Sequence, residues 1–221
     1  MPEPFTSQLP VRALIFDMDG VLADTEPLHV RSWVVTLDGV DPTTLYGERG
    51  HMVGMSSRVI AGELIRKLGL NTTVEALVDR KRTAYRDIAE QSLAAFSGVR
   101  EEIHRLRERG VPLSLATSSA RPDVEFLLER IGLHGIFSPI VTSDDVRASK
   151  PAPDCYLLAA ELLGILPSEC LVIEDSVNGI RAAVDAGTRV LAVSPLPLSD
   201  LPHGVFRVFP TTVEALQWLV A

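Results

Sequence analysis

Apolar residues in this chain gather into six short runs. The first is Val11-Arg-Ala-Leu-Ile-Phe16; the others are Val111–Thr117, Pro139–Thr142, Leu171–Asp175, Arg189–Ser194 and Val205–Phe209. Runs this short and this continuously apolar suit parallel strands covered on both faces. Between the later runs the period changes. Val124, Leu127, Leu128 and Ile131 recur at i, i+3, i+4, i+7, Val99, Ile103 and Leu106 nearly so, and a last helix is expected over Val213–Leu219. Gly110, Gly132, Gly164 and Gly187 stand where such helices should stop. Strand and helix in alternation predict an α/β, doubly wound (Rossmann-like) parallel sheet.

The rhythm breaks once. After the first run, residues 24–95 hold no clear strand and read as helices: Pro27–Leu37, Met55–Leu68 with Ile60, Leu64 and Leu68 on one face, and Val74–Ala94 with Val74, Leu77, Val78, Tyr85 and Ile88. We read a small all-helical cap at 24–95, inserted into a core made of 1–23 and 96–221. Trp33, Met52 and Met55 are expected to fill its interior. An insert at this point overhangs the carboxyl edge of the sheet, where α/β folds bind ligands, and so acts as a lid.

The 221 residues are 46% hydrophobic and 23% charged, as in ordinary globular proteins, and can bury a full core. The net charge of −8 argues against broad binding to nucleic acid or an anionic membrane but leaves room for a small anionic substrate. Cys155 and Cys170 form no metal-ligand spacing and read as buried packing residues in a reducing compartment. Met1–Pro10 lacks a basic start and an apolar stretch, and no run approaches the length of a membrane span. A cytoplasmic monomer is expected.

Chemistry concentrates where the strands end. Asp17 and Asp19 are two residues apart in an extended segment, so their side chains point the same way, and Gly20 then lets the chain turn. Thr117-Ser118-Ser119, Ser143-Asp144-Asp145 with Ser149-Lys150-Pro151, and Glu174-Asp175 follow later strands. In a parallel sheet all of these share one rim. Asp17 and Asp175 would hold a hard cation, Mg²⁺, with Glu174 beside it directly or through water. Asp17 would then attack phosphorus, while Asp19 protonates the departing oxygen and later activates water. Lys150 offers a point charge, and Thr117 and the Ser118 amide offer donors, to the phosphoryl oxygens. From the cap, His29 and Arg58 are candidates for substrate contact. Asp144 and Asp145 form a turn pair, either of which could orient Lys150.

Four blocks carry a resemblance: Asp17-Met-Asp-Gly-Val, Leu115-Ala-Thr-Ser, Ser149-Lys-Pro-Ala-Pro-Asp and Ile173-Glu-Asp-Ser-Val-Asn-Gly-Ile. In order and spacing they resemble the motifs of the haloacid-dehalogenase-like hydrolases. The branch most similar is that of the beta-phosphoglucomutase-like phosphatases, which carry Asp-Thr-Glu-Pro-Leu-His as Asp24–His29 do here. The resemblance implies a Mg²⁺-dependent phosphatase acting on a small phosphorylated metabolite of the sugar- or polyol-phosphate class, with Asp17 as nucleophile and the Asp19 backbone carbonyl as a further metal ligand. True dehalogenases lack the second Asp. The mutase branch keeps a cap lysine after an Arg-Lys…Tyr segment; reading Arg80-Lys81…Tyr85 in that register puts Asp87 there, which argues against a phosphohexomutase, the alternative. A receiver-like signalling module is the third reading, weakened by the helical insert and by Asp19.

Overall fold

The computed structural model describes residues 11–38, 54–193 and 201–220. Six parallel strands are ordered β3-β2-β1-β4-β5-β6: β1 Ala13–Phe16, β2 Leu113–Ala116, β3 Ile140–Val141, β4 Cys170–Glu174, β5 Arg189–Val193 and β6 Val205–Phe209. Every expected strand is present. The edge strand β3 is only two residues long, because Pro139 before it has no N–H to give to a ladder.

Leu14 pairs with Leu113 on one side and Leu171 on the other, which fixes the register of the sheet's centre. Alternation along β1 then sorts the two faces. Leu14 and Phe16 pack under α4 Val99–Glu108, α5 Arg121–Arg130 and α8 Thr212–Val220, through Ile103, Leu127 and Leu216. Ala13 and Ile15 pack under α6 Asp154–Leu163 and α7 Val177–Asp185, through Tyr156, Ala159 and Ile180. Both cysteines are free and buried in this second layer. The fold is the doubly wound α/β sheet expected. From β1 the chain steps outward to β3, then returns to β4 on β1's other side, so the topological switch point lies beside β1.

The insert is helical, with α1 Glu26–Thr36, α2 Ser57–Leu68 and α3 Val74–Ser92 among the described residues. Trp33, Ile60, Leu64 and Leu77 make its own core, with Met55 packed against it; Met52 and residues 1–10 lie outside the described residues. Helix α2 starts two residues later than the periodicity suggests, because the Ser56 side chain caps it by accepting from the Val59 amide. Entry and exit of the insert run side by side, joined by an antiparallel bridge between Ala23 and Ala95. No helix among the described residues is long and apolar enough to cross a membrane.

Leu14 is fully buried at the sheet's centre, whereas Leu162 is 58% exposed on α6. Leu14→Ala should lower stability by about 2–5 kcal/mol, and Leu162→Ala should change it by no more than about 0.5 kcal/mol. Urea unfolding midpoints check both; equal losses would contradict this core.

Candidate active site

Asp17 is the first residue past β1, and its amide donates to the Ile173 carbonyl of β4 (3.0 Å), which plants it at the switch point. Gly20 turns the chain away at φ +76°. A Cβ there would sit 2.0 Å from Asp175 Oδ2, so the glycine also makes room for that carboxylate. Lys150, on the loop after β3, is buried against the floor. Its Nζ lies 2.6 Å from Asp17 Oδ1, 2.8 Å from Glu174 Oε1, 2.8 Å from the Tyr156 hydroxyl and 3.2 Å from the Ala116 carbonyl. Glu174 Oε2 accepts from the Asp175 and Ser176 amides and the Ser176 hydroxyl (2.7, 2.8 and 3.1 Å). Gly179 of α7 is required beside it, since a Cβ there would lie 1.5 Å from Oε1.

One carboxylate oxygen each from Asp17, Glu174 and Asp175 lie within 4.8 Å of one another. Three acids thus lie together with a single ammonium, which contacts two of them. Burial pushes the Asp17 carboxyl up to about 8; Lys150 opposes this, and Glu174 and Asp19 add to it. Burial, then Glu174 and Asp17, push Asp175 well above the ordinary range. Such a set invites a hard divalent cation, and its oxygen donors fit Mg²⁺. Asp17 and Asp175 are the residues that would hold it. Glu174 spends both oxygens on Lys150, Tyr156 and the β4–α7 turn, so direct ligation by it is disfavoured. The Asp19 side chain stands outside the group, which leaves only its backbone carbonyl for a metal.

Asp19 has other company. Oδ1 accepts from the Thr25 hydroxyl (2.6 Å) and His29 Nε2 (3.0 Å), Oδ2 from the Ser119 hydroxyl (2.9 Å). Burial works to raise its pKa, but the electrostatic pull and hydrogen bond of the His29 N–H, then those two hydroxyls, bring it below the usual range. Lys81 Nζ lies 2.7 Å from His29 Nδ1. With the ammonium donating to Nδ1, the ring hydrogen sits on Nε2 and points at Asp19. Burial and then Lys81 lower the pKa of His29 accordingly, and burial brings Lys81 down to about 8. Tyr85 stacks on the imidazole, centroids 4.6 Å apart.

The register that placed Asp87 at the cap lysine's position is overturned: Asp87 is exposed and Lys81 reaches the site. Lys81 and Tyr85 are four apart on α3, as Thr25 and His29 are at the start of α1, so each pair shares a helix face. That spacing was the available signal. Thr117 is buried and accepts from the Ser119 amide; the Ser118 hydroxyl donates to the Gly54 carbonyl of the cap (2.7 Å). Both line a cavity of about 60 Å³ with Asp17, Asp19, His29 and Asp175. Glu26, which the sequence reading missed, lines it too, its carboxyl raised to about 7 by burial, with Asp19 adding. Arg58 does not line it: its guanidinium pairs with Glu75 (3.2 Å) at the surface. Asp144 accepts from the Arg121 amide, and Asp145 from Thr142 and Arg121, so neither orients Lys150.

A family model described as haloacid dehalogenase-like hydrolase matches residues 11–187. The fructose-1-phosphate phosphatase of Escherichia coli is 34% identical over 174 residues, covering 79% of this chain and 92% of its own length. The phosphorylated carbohydrates phosphatase of Thermotoga maritima is 31% identical over 177 residues, covering 80% and 82%. A crystal structure of CbbY from Rhodobacter sphaeroides in complex with phosphate superposes with a TM-score of 0.81 at 26% identity, covering 92% of this chain and 96% of that one.

The raised Asp17 pKa has a definite sign. Folding favours the neutral acid, so this contribution is full below about pH 4 and is lost as pH rises from 3.8 towards about 8. Glu26 acts the same way and His29 the opposite way. The difference in Tm between Mg²⁺ and EDTA should therefore widen steadily from pH 5 to pH 8. Thermal melts across that range check this; a difference that is absent, or flat with pH, contradicts it.

Proposed function

The chain belongs to the haloacid dehalogenase-like hydrolases, and from that premise we propose that it is a Mg²⁺-dependent phosphatase of a small sugar or polyol phosphate, working through an aspartyl-phosphate on Asp17. The observation that carries this is the contact of Lys150 with both Asp17 and Glu174 at the mouth of β1. It sets a nucleophile and a phosphoryl-binding cation side by side. The fructose-1-phosphate and phosphorylated-carbohydrate phosphatases among the relatives support the substrate class.

When bound, Mg²⁺ would be held by Asp17, Asp175 and the Asp19 carbonyl, and would offset the repulsion between carboxylate and phosphoryl oxygens. Lys150 and the Thr117 hydroxyl orient those oxygens, with the Ser118 amide, while an Asp17 oxygen forms the bond to phosphorus as the ester oxygen leaves. Asp19 supplies the proton to that oxygen and takes one from water in the second half. Its three hydrogen bonds favour the carboxylate, which suits the base. For the acid, Ser119 is the partner that adapts, because its hydroxyl accepts as readily as it donates and so tolerates a proton on Oδ2. His29, backed by Lys81, holds the other oxygen.

The phosphohexomutase reading gains one point and loses another. Lys81 fills the place thought to be empty. A mutase must also hold a sugar bisphosphate, and the cap side of the cavity is Glu26, His29, Trp33, Gly54, Met55, Ser57 and Ile60; no Arg or Lys among the described residues lines it. Hydrolysis is the better fit, and the family match sets the receiver-like reading aside. We place the enzyme in the cytoplasm as a monomer.

With Mg²⁺ the protein should release inorganic phosphate from members of a sugar, hexitol and polyol phosphate panel. Asp17→Asn should abolish release, and Asp19→Asn should lower kcat by about 10²–10⁴-fold. Wild-type turnover by Asp17→Asn would sink the mechanism. Conversion of a hexose 1-phosphate to the 6-phosphate with little free phosphate would establish the mutase instead.

A further inference from the structure

Lys150 faces one acceptor more than it has hydrogens. Asp17, Glu174, the Ala116 carbonyl and the Tyr156 hydroxyl all lie within hydrogen-bond distance of an ammonium that carries three. Resting on the phosphatase reading, a phosphoryl oxygen would arrive as a fifth. Accepting it requires Lys150 to release a partner, and most releases are costly here. Glu174 is fully buried, and a buried carboxylate that loses a donor bears a large penalty.

Tyr156 changes that balance. Its hydroxyl lies 2.8 Å from Lys150 Nζ and 3.0 Å from Glu174 Oε1, and the residue is wholly buried. It accepts from the ammonium and donates to the carboxylate. If Lys150 turns away from Tyr156, the hydroxyl still has Glu174; if it turns away from Glu174, the hydroxyl still covers Oε1. We propose that Tyr156 is a positioning residue that frees one Lys150 hydrogen for the phosphoryl group by keeping Glu174 satisfied when the ammonium swings.

Phe at this position isolates the hydroxyl, because the ring that sits 4.7 Å from Nζ stays. In Tyr156→Phe the three hydrogens have three remaining acceptors, and Glu174 Oε1 depends on Lys150 alone. The ammonium is then held back from the phosphate in ground and transition states alike, which raises KM while sparing kcat. The loss is the same for every ester, since Lys150 meets the phosphoryl group and not the leaving group.

The experiment is calorimetric titration of wild type and Tyr156→Phe with inorganic phosphate in the presence of Mg²⁺, alongside KM and kcat for two esters with unlike leaving groups, and Tm. The expected result is a rise of about 5- to 10-fold in the phosphate Kd and in both KM values, with kcat within about twofold. Unchanged phosphate affinity, whatever happens to Tm, overturns the proposal, as does a KM effect confined to one ester. Should Tyr156→Phe fail to fold, 3-fluorotyrosine at 156 keeps the ring and strengthens the donor, so phosphate should bind as tightly or tighter; weaker binding overturns it. A wild type that neither binds phosphate nor hydrolyses any ester removes the phosphatase reading and this inference together. An active wild type with an indifferent Tyr156→Phe removes the inference alone.

Discussion

Everything at the rim depends on one buried ammonium held between two buried carboxylates, Asp17 and Glu174, with Asp175 half-buried beside them. Lys150 reaches Asp17 just past β1, Glu174 at the end of β4 and the Ala116 carbonyl at the end of β2, tying together segments far apart in the chain. The arrangement remains short of positive charge, which is why burial drives Asp17 and Asp175 towards their neutral forms. A site with excess negative charge, fixed donors and a lysine already in place is prepared for a cation and a phosphoryl group together. The sheet makes that affordable: β1 and β4 are paired, so the two acids that would hold metal share one rigid support.

The cap contributes chemistry as well as cover. Thr25, His29 and Lys81 all belong to the insert, and they set the hydrogen bonds on one oxygen of Asp19, while the core's Ser119 sets the other. Core and cap also meet through Arg82 on Asp123 (3.1 Å), Ser149 on Ser56 (3.0 Å) and Ser118 on the Gly54 carbonyl (2.7 Å). The hydrogen bonds around Asp19 therefore depend on α1 and α3 of the insert as much as on the core. Apolar side chains such as Trp33 and Ile60 close the cavity's other wall, which restricts water around the reacting groups.

The sheet was legible because each strand is a local apolar run, and the rim was legible because parallel strands bring their ends together whatever the distance along the chain. What escaped depends on tertiary placement. Tyr156 reads as an ordinary core position of α6, and nothing local says that its hydroxyl meets Lys150. Lys81 was passed over through a register drawn across a divergent cap, although its four-residue spacing from Tyr85 placed both on one face. Arg58 reads as a candidate for substrate contact because it is a cation on a cap helix; Glu75, from the neighbouring helix, takes it instead. Glu174 was legible as a residue of the rim but not as one whose oxygens are already engaged, since that rests on two amides of the following turn and on Gly179.

The most direct test is a calorimetric titration of the metal-free protein with Mg²⁺ at pH 7, run in two buffers of different ionisation heat. One ion should bind per chain with net release of protons, as Asp17 and Asp175 give up the acid forms that burial imposes, and Asp175→Asn should abolish binding. Binding without proton release, or wild-type affinity in Asp175→Asn, would contradict an acidic cluster built around a missing charge.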